Sequence, residues 1–327
     1  MKRATIYDVA REAGVSHQTV SLILKGREGF KPETRDRVMA ALKLLDYRPN
    51  HAAWSLATNR SMRIGALVGA LLEVGPLRTV QGAADRAREA GYLLDVVSVD
   101  PDDAAAVDAA LDELRRQNLA GLLVLAPVDR LSHRLEGLSL GSPLIVEAVD
   151  DVLNPVGLGL LIDHLVALGH RRFAHLAGPS DWAASGDREC AYREALARHG
   201  LDSVTTVVGD WSARSGHAAA SALDLESADA PTALVVANDQ MALGALLALS
   251  ERGIDVPGRV SVTGFDDTPE SPFYTPPLTT VRADYAAHGR GLVERLLRQI
   301  DPARVGDEQV AEPPTLQVRA STGAPRN

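Results

Sequence analysis

The stretch TIYDVAREAGVSHQTVSLILKG, residues 5–26, predicts two short helices joined by a tight turn. Thr5 provides an N-cap for the first helix, and Asp8 places an acidic side chain in its first turn. Gly14 suits the end of that helix, because glycine adopts the left-handed conformation without steric cost. Ser16 can then cap a second helix, so the turn between the helices spans only residues 14–16.

The neighbouring sequence completes a three-helix domain over residues 1–48. The second helix is expected to reach about Lys25, and Pro32 suits the first turn of a third helix that reaches about Leu45. Apolar residues recur at helical spacing in all three segments. Those expected to face inward are Ile6, Val9, Ala10, Ala13, Val20, Ile23, Leu24, Val38, Ala41, Leu42 and Leu45. Two short helices braced by a third make a helix-turn-helix domain.

The outward face of the second helix carries polar side chains. Positions four apart share one face of a helix, which groups His17, Gln18, Ser21, Leu22 and Lys25. Gln18 can make paired hydrogen bonds to an adenine edge, and Thr19 or Ser21 can reach phosphates or bases. The alternative is an amphipathic helix that only packs within a bundle.

Charge is distributed unevenly along the 327 residues. Residues 1–60 hold 11 Lys and Arg against 6 Asp and Glu, a net charge of +5, whereas the remainder holds 23 basic and 37 acidic residues, a net charge of −14. A basic module on an acidic body indicates a head that binds a polyanion and a body that does not. Scattered charge without a function is the alternative.

Three features bear on the compartment. The single cysteine, Cys190, excludes an intrachain disulfide and suits a reducing cytoplasm. Residues 119–127 are apolar but shorter than the roughly 20 residues that a membrane helix needs. The N-terminus has no apolar segment of a secretion signal. We therefore expect a cytoplasmic protein rather than a free periplasmic binding protein.

Residues 49–60 are expected to form a hinge helix after the head. Ala52, Ala53, Leu56 and Ala57 make a small-residue helix that is too short to be stable alone. Such a segment would fold only against DNA or a second copy of itself. Leu56 is then a candidate wedge for a minor-groove base step. In the absence of DNA, a flexible linker is the alternative.

From residue 61 onward, short apolar runs alternate with amphipathic stretches. RIGALVGALL, YLLDVVSVD, GLLVLAP and PLIVEAV form one series of predicted strands, with helices near 79–90, 103–117 and 129–138. RFAHLAG, TTVVGDW, TALVVAN and VSVTGFDD form a second series. This alternation predicts βαβ units in an α/β fold. Two series predict two lobes built on doubly wound parallel sheets, with a cleft between them.

The residues TIYDVAREAGVSHQTVS, followed by YRPNHAAWSLA, resemble the DNA-binding head and hinge of the lactose-repressor (LacI/GalR) family. The resemblance implies that the second helix enters the major groove and that paired hinge helices open the minor groove. Contacts to phosphates or contacts that fix register then fall at Thr5, Ser16, Thr19, Ser21, Thr34 and Asn50. Base reading falls at His17 and Gln18, and intercalation at Leu56, with Ala53 and Ala57 completing the hinge surface. Leu22 departs from a usual arginine, Lys25 departs from a usual asparagine, and Trp54 is unusual in the hinge.

The body resembles the sugar-sensing core of the same family, most closely in LVVANDQMALGAL and SVTGFDDTPESPFYTPPLTTVRADY. The resemblance implies the fold of periplasmic sugar-binding proteins, with crossings between lobes near residues 155, 284 and 312. The N-terminal lobe would comprise residues 61–155 and 285–311. The C-terminal lobe would comprise residues 156–284 and 312–327.

Two candidate ligand-binding residues are large side chains. The guanidinium of Arg188 presents donors that can form paired hydrogen bonds to vicinal hydroxyls, an arrangement called a fork below. The alternative is a surface ion pair with Asp187 or Glu189. Trp211 can stack on the apolar face of a sugar ring, the alternative being packing between lobes. The family resemblance puts both in the effector pocket.

Two further candidates follow predicted strands. Asn238 follows TALVVA and Asp266 follows SVTGF, and ligands of open α/β sheets bind at the carboxyl ends of strands. The alternatives are a helix N-cap for Asn238 and a turn for Asp266. The resemblance includes both in the same pocket.

Other pocket positions depart from the family pattern. Glu147 stands where an aspartate is usual, Leu125 replaces a polar amide, Gly69 replaces a serine, and Tyr285 replaces a phenylalanine. Loss of a hydrogen-bonding side chain at Leu125 would shift ligand specificity. The segment from residue 147 to 164 is also shorter than usual, so either a strand is missing from the second lobe or the lobe edge is rearranged.

The resemblance also bears on assembly. The chain ends in TLQVRASTGAPRN, without the apolar heptads of a tetramer-forming tail. A dimer is expected, since a palindromic operator needs two heads. Leu243 and Tyr274 match positions of the family's dimer interface.

Motifs of catalysis and metal binding are absent from the sequence, including GxSxG, a Walker loop, HExxH and a CxxC pair. His164, His170 and His175 fall on a helix end, a loop and a strand, which would point them apart, so we expect structural histidines and no metal or cofactor. No enzyme activity is expected.

The sequence thus predicts a homodimeric transcriptional repressor that is released from double-stranded operator DNA by a small sugar or glycoside, without membrane association. A corepressor-dependent regulator of the same fold is one alternative. A sugar-binding transport component is the alternative from another class.

Overall fold

A computed structural model describes residues 4–24, 27, 29–47, 61–69, 71, 73–100, 103–125, 135, 141–147, 153–180, 182–303 and 311–326. The chain comprises two compact units, Met1–Met62 and Arg63–Asn327. Among these residues, no helix combines the length and apolar character needed to cross a bilayer.

The head unit contains α1 (Ile6–Ala13), α2 (His17–Leu24) and α3 (Pro32–Leu44). A capping box begins α1: the Asp8 amide donates to Thr5 Oγ1 at 3.3 Å, and the Thr5 amide donates to the Asp8 carboxylate at 2.9 Å. Gly14 ends α1 with a φ of 63°. Ser16 Oγ accepts from the Thr19 amide at 3.0 Å and caps α2. The predicted helix-turn-helix and its caps are therefore confirmed.

The three helices share one small apolar core. Its buried members are Val9, Ala10, Ala13, Val20, Ile23, Val38 and Ala41, with Ile6, Leu42 and Leu45 packed against them. The inward prediction for Leu24 was wrong, because 38% of this side chain is exposed. Ile23 follows Val20 by three residues and takes the inward position, which leaves Leu24 at the margin of the buried face.

Several predicted contacts of the head fall on residues whose structure is not described. These are Lys25 at the end of the second helix and the hinge residues Asn50, Ala53, Leu56 and Ala57. Their proposed roles therefore stay predictions.

The first lobe is built on a parallel four-stranded sheet of order β2-β1-β3-β4. Its strands are β1 (Arg63–Gly69), β2 (Leu93–Val99), β3 (Gly121–Leu125) and β4 (Leu144–Val146). One face packs against α4 (Val74–Glu89) and the later helix Tyr285–Ile300, and the other packs against α5 (Ala104–Arg116). Helix α4 begins five residues before the predicted 79. The helix expected at 129–138 lies outside the described residues except Leu135.

The second lobe is built on a six-stranded sheet of order β10-β9-β8-β7-β5-β6. The strands are β5 (Phe173–Ala177), β6 (Ser203–Val208), β7 (Ala233–Val236), β8 (Ser261–Phe265), β9 (Thr279–Arg282) and β10 (Thr315–Gln317). The helices of this lobe are α6 (Leu153–Ala167), α7 (Ala183–Ala197), α8 (Ala213–Ala222) and α9 (Asp239–Glu251). The last helix of the chain, α10 (Tyr285–Ile300), belongs to the first lobe. The pair α6 and α7 covers one face, and the pair α8 and α9 covers the other.

The doubly wound architecture is confirmed, with one difference. Strand β10 runs antiparallel to β9, whereas the other neighbouring strands of this sheet run parallel. An antiparallel edge strand on an otherwise parallel sheet is common in α/β folds.

Part of the shortened segment after Glu147, residues 148–152, lies outside the described residues. Whether a strand is missing or the lobe edge is rearranged therefore stays open, and α6 packs on the second lobe from its first residue, Leu153. This start lies close to the boundary expected at residue 155, which stays a prediction. The other lobe boundaries stay predictions.

Helices α4 and α10 approach each other backbone to backbone. A Cβ on Gly82 would overlap the carbonyl of Ala286, and one on Gly289 would overlap the carbonyl of Thr79. Glycine at these two positions therefore permits the close approach. The contact fixes the start of α10, at Tyr285, relative to the start of α4.

Candidate functional site

The exposed side of α2 carries the residues expected to read DNA. His17 and Gln18 are exposed, while Ser21 and Leu22 are partly buried. Leu22 is not a member of the head's apolar core. An apolar side chain at this position therefore remains available at the surface of the helix.

Hydroxyl groups beside α2 are already engaged in caps. Ser16 Oγ and Thr19 Oγ1 lie 2.9 Å apart, and Thr5 donates its hydroxyl proton to the Asp8 carboxylate at 2.7 Å. A hydroxyl has a single proton to donate. A phosphate contact through the hydroxyl proton of Thr5 thus requires exchange of its bond to Asp8. Thr34 is partly buried near the start of α3.

Tyr7 adds an aromatic side chain that the sequence interpretation missed. It is 61% exposed, and its ring centroid lies 5.0 Å from that of His17. Tyr7 lies on the outward side of α1, so the helical periodicity of that segment could have predicted its exposure.

In the core, polar residues gather at the carboxyl edge of the second sheet. Asn238 follows β7, and Asp266 follows β8. Parallel strands end at the same edge, where open α/β sheets bind ligands. The backbone is strained there, with φ of 69° at Trp211 and 104° at Asp266. Such outliers persist where surrounding contacts hold them and are concentrated at functional sites.

Arg188 of α7 is the centre of this edge. One NH2 group donates to Asp266 Oδ1 at 3.1 Å and to the Tyr285 hydroxyl at 3.0 Å, while Nε donates to Asn154 Oδ1 at 3.3 Å. Its NH1 group donates to the carbonyl of Ala237. The predicted alternative, a surface ion pair with Asp187 or Glu189, was wrong: Arg188 is 8% exposed and its described carboxylate partner is Asp266.

Aromatic rings enclose the guanidinium. The Cζ atom of Arg188 lies 4.2 Å from the centroid of Phe265 and 5.4 Å from that of Trp211. Trp211 is buried against Gly178, and Trp182 packs on it edge to face with centroids 6.2 Å apart. The stacking position predicted for Trp211 therefore lies beside Arg188, and Trp182 is an addition that the sequence did not signal.

The side chain of Asn238 forms hydrogen bonds with backbone groups of two nearby residues. Its Oδ1 accepts from the Met241 amide at 2.9 Å and caps α9, and its Nδ2 donates to the carbonyl of Trp211 at 3.0 Å. The alternative of a helix cap is therefore correct. The same amide also holds the strained backbone of Trp211 in position.

Burial sets the protonation of the central groups. It raises the pKa of the Tyr285 hydroxyl well above its ordinary value, and the adjacent Asp266 carboxylate raises it further. Tyr285 therefore stays protonated and donates to Asp266 Oδ1 at 2.6 Å. Burial also raises the pKa of Asp266, although Arg188 and Tyr285 oppose this shift.

Asp239 supports the turn that carries Asp266. Its carboxylate accepts from the Thr268 amide at 2.8 Å and the Thr280 hydroxyl at 2.6 Å, and also from Ser271. Burial, with the nearby Asp266 charge, raises the pKa of Asp239 to about 7. The sequence interpretation had assigned Asp239 no role.

The first lobe contributes groups to the same place. Besides Tyr285, Arg78 of α4 donates to the carbonyls of Asp266 and Asp267 at 3.2 and 3.3 Å. Glu147, which the sequence placed in the effector pocket, pairs within the first lobe with His288 of α10, Oε1 to Nε2, at 3.0 Å. Nothing local in the sequence marked Arg78 or His288 for such contacts, because their partners lie more than 100 residues away.

Leu125 and Gly69 lie at the ends of first-lobe strands. Leu125 is 2% exposed and belongs to the apolar core of that lobe, and Gly69 is buried. Leu125 thus packs within the lobe, and its side chain has no group that could hydrogen-bond to a hydroxyl. Its contact with an effector stays a prediction.

The three histidines have separate partners. His164 meets Thr322 at 3.0 Å, His170 meets Thr232 at 2.9 Å, and His175 meets the carbonyl of Val235 at 2.8 Å. Burial lowers the pKa of His175 to about 4. Among the described residues no three metal-ligating side chains converge.

The two residues expected at a dimer interface differ in exposure. Leu243 on α9 is 44% exposed, whereas Tyr274 is 9% exposed within its own lobe's core. Tyr274 therefore packs largely within its own lobe, and its place in a dimer interface stays a prediction. The exposed apolar side chains nearby in sequence are Phe273, at 84%, and Leu247, at 54%.

The raised pKa of Asp239 predicts a pH-dependent stability. An unfolded aspartate has a pKa of about 3.9, so the folded chain holds an extra proton between that value and about 7. The free energy of unfolding consequently falls as pH rises from 5 to 8. Urea denaturation of the full chain measures this free energy. Between pH 5 and pH 8 the free energy of unfolding of the wild type should fall by about 2 kcal/mol more than that of Asp239→Asn. Asp202→Asn, at an exposed position, should follow the wild type, and parallel curves for wild type and Asp239→Asn would contradict the assignment.

Comparisons with known proteins agree with this arrangement. Residues 5–50 match the bacterial regulatory proteins of the lacI family, and residues 162–322 match a periplasmic binding protein-like domain. The chain is 36% identical to the lactose operon repressor of Escherichia coli (strain K12), over 99% of this chain and 92% of that protein.

Two solved structures share the fold over nearly the whole chain. The lac repressor dimer bound to operator and the anti-inducer ONPF superposes with a TM-score of 0.86 at 35% identity, covering 99% of this chain and 100% of that one. A complex of the transcriptional regulator CelR with cellobiose superposes with a TM-score of 0.69 at 29% identity, covering 98% and 100%. The chain described here therefore belongs to the lacI family of bacterial regulatory proteins.

Proposed function

We propose that this protein is a transcriptional repressor whose core binds a small sugar or glycoside and thereby releases operator DNA. The observation that carries the proposal is the buried network of Arg188, Asp266 and Tyr285. Arg188 and Asp266 belong to the second lobe, and Tyr285 begins a helix of the first. A ligand that enters this network contacts both lobes at once.

The chemistry of the network suits hydroxyl groups. A sugar hydroxyl both donates and accepts, so it can accept from the Arg188 fork and donate to the Asp266 carboxylate. Trp211 and Trp182 offer apolar faces beside these polar groups, which suits the two-sided character of a pyranose ring. The solved relative bound to cellobiose uses the same fold for a sugar.

The head supplies the DNA-binding surface. His17 and Gln18 are exposed on α2 and would read base edges, while Thr5, Ser16, Thr19, Ser21 and Thr34 lie where phosphate contacts are expected. The net charge of +5 over residues 1–60 supplies the electrostatic attraction. Lys25 and the hinge residues Asn50, Ala53, Leu56 and Ala57 would complete the interface.

Two heads are needed to read a palindrome, so the repressor would act as a homodimer. Leu243, Leu247 and Phe273 are exposed apolar side chains that a second copy would cover. The solved lac repressor is a dimer on its operator. Ligand binding would move the first lobes of the two copies relative to each other, and the hinge helices would lose their pairing.

A screen of sugars tests the effector. Monosaccharides and disaccharides would be ranked by thermal shift of the full-length protein, and each hit titrated into the complex with an operator selected from random duplexes. We expect a hit to weaken operator binding at least about tenfold, within the usual range of allosteric coupling. Arg188→Lys should weaken sugar binding, since lysine lacks the fork, whereas Arg193→Lys on the exposed side of α7 should not.

The sign of the effect separates the alternatives. A sugar that tightens operator binding would establish a corepressor, and the absence of any bound sugar would contradict the proposal. Failure of residues 1–60 to direct specific DNA binding would favour a transport component.

The leucine at position 22 predicts a preference for operator sequence that differs from the preference an arginine would give. A leucine can contact a thymine methyl, whereas an arginine would make paired hydrogen bonds to guanine. Selection of operators from random duplexes should therefore give guanine at one symmetric position for Leu22→Arg and not for the wild type. Leu44→Arg adds the same charge at a position that is 71% exposed on α3 and should leave the preference unchanged. Identical preferences for wild type and Leu22→Arg would mean that Leu22 does not face the bases.

A further inference from the structure

The hydrogen-bond donors of Arg188 are almost fully used by the protein itself. A guanidinium has five N–H groups. Those of Arg188 donate to four described acceptors: the side chain of Asn154, the carbonyl of Ala237, the carboxylate of Asp266 and the hydroxyl of Tyr285. A ligand that makes paired hydrogen bonds with this guanidinium therefore has to replace at least one of these acceptors.

The hydroxyl of Tyr285 is chemically the acceptor most like a ligand hydroxyl. It accepts from Arg188 at 3.0 Å and donates to Asp266 Oδ1 at 2.6 Å. A sugar hydroxyl at the same place would form the same two bonds, because both groups carry one proton to donate and lone pairs to accept. Exchange of one hydroxyl for the other consequently leaves Arg188 and Asp266 with the same number of hydrogen bonds.

The other three acceptors are less suited to exchange. Replacement of Asp266 by a neutral ligand group would remove the described counter-charge of a buried cation. The carbonyl of Ala237 belongs to the backbone directly after β7, and Asn154 lies in the first turn of α6. Both residues belong to the same lobe as Arg188, so the packing of that lobe holds them in place.

The ring of Tyr285, in contrast, packs on the first lobe. Tyr285 is the first residue of α10, and a Cβ on Gly75 of α4 would lie 3.4 Å from its Cε1 atom. The backbones of these two helices are in close contact at Gly82 and Gly289. A ligand hydroxyl that replaces the tyrosine hydroxyl therefore also breaks a hydrogen bond between the lobes.

The indole of Trp211 provides a second observation that points to a ligand beside Arg188. Its N–H is buried and has no hydrogen-bond partner within the described ranges. An indole N–H can only donate, so a ligand oxygen would satisfy it. The Cζ atom of Arg188 lies 5.4 Å from the centroid of this indole. A ligand bound to Trp211 is therefore placed to reach the guanidinium as well.

We infer that the Tyr285 hydroxyl occupies the place of an effector hydroxyl, and that the effector binds by exchange, its own hydroxyl replacing that of Tyr285 between Arg188 and Asp266. The inference rests on the proposed function, because it concerns the binding of the same sugar. Tyr285 is then a specificity-determining residue. A sugar gains from this one hydroxyl only the difference between its bonds and those of the tyrosine, so its other groups must supply the affinity.

Isothermal titration of the full-length protein tests the exchange. The probes are D-glucose, D-galactose and cellobiose, each titrated into the wild type and into Tyr285→Phe, which keeps the aromatic ring. In this variant a ligand hydroxyl gives Arg188 and Asp266 a partner that the free protein lacks. At least one sugar should therefore bind about tenfold more tightly to the variant than to the wild type.

The matched control is Tyr192→Phe. It also removes a buried hydroxyl, which donates to Ser203 at 2.9 Å within the second lobe. Because this hydroxyl makes no described contact with Arg188 or Asp266, the control should bind each sugar with the affinity of the wild type.

Deoxy sugars separate exchange from a simple gain of space in the variant. Monodeoxy analogues of the sugar that shows the gain are titrated into both proteins. With the analogue that lacks the exchanging hydroxyl, the wild type keeps the bonds of Tyr285, so Tyr285→Phe should lose its advantage. The other analogues should retain the difference. An equal gain with every analogue would mean that the variant only enlarges the site, which overturns the inference.

The remaining outcomes distinguish the exchange from the proposed function. Sugars that bind the wild type, but bind Tyr285→Phe equally or more weakly, overturn the exchange and leave a sugar effector intact. Failure of the three probes and of every other sugar in the thermal-shift screen to bind either protein overturns both the exchange and the proposed sugar effector.

Discussion

A buried guanidinium must find an acceptor for each of its donors, and around Arg188 the acceptors come from both lobes. Asn154, Ala237 and Asp266 belong to the second lobe, while Tyr285 opens a helix that packs on the first sheet. Leaving one partner of a buried charge unpaired costs several kcal/mol, typically about 3–5. The relative position of the lobes is therefore tied to the hydrogen bonds of one side chain. Whatever replaces a partner of Arg188 also acts on the arrangement of the lobes.

The fold provides this constraint through strand direction and close helix contact. Parallel strands bring Asn238 and Asp266 to one edge, and Asp239 fixes the turn that follows β8 through Thr268, Ser271 and Thr280. Gly82 and Gly289 let α4 and α10 touch along their backbones, so Arg78 and Tyr285 reach the second lobe from a rigid pair. As a member of the lacI family the protein is a DNA-binding regulator, and this pair is the part of its first lobe that contacts the site.

The sequence predicted features that depend on local physics. The capping box of Thr5 and Asp8, the turn at Gly14 and the alternation of strands and helices follow from patterns within a few residues. Leu24 was misjudged because α2 has only eight residues, and the narrow buried face of so short a helix admits Ile23 but not its neighbour. The burial of Tyr274 could not be predicted from periodicity, because side-chain direction within the short turn at 271–274 is not periodic: Phe273 is exposed, whereas Tyr274 packs in the core of its lobe. Arg78 and His288 could not be found locally, since their partners are brought near only by the tertiary fold.

The central claim is that the Arg188–Asp266–Tyr285 network couples ligand binding to operator binding. The direct measurement is the operator dissociation constant with and without the tightest-binding sugar of the screen, and the sugar dissociation constant with and without operator. Linkage requires both ratios to be equal. Tyr285→Phe keeps the ring and removes the hydroxyl that accepts from Arg188 and donates to Asp266. For this variant the account predicts that the sugar still binds but that both ratios shrink together toward one. Full coupling retained in Tyr285→Phe would contradict it.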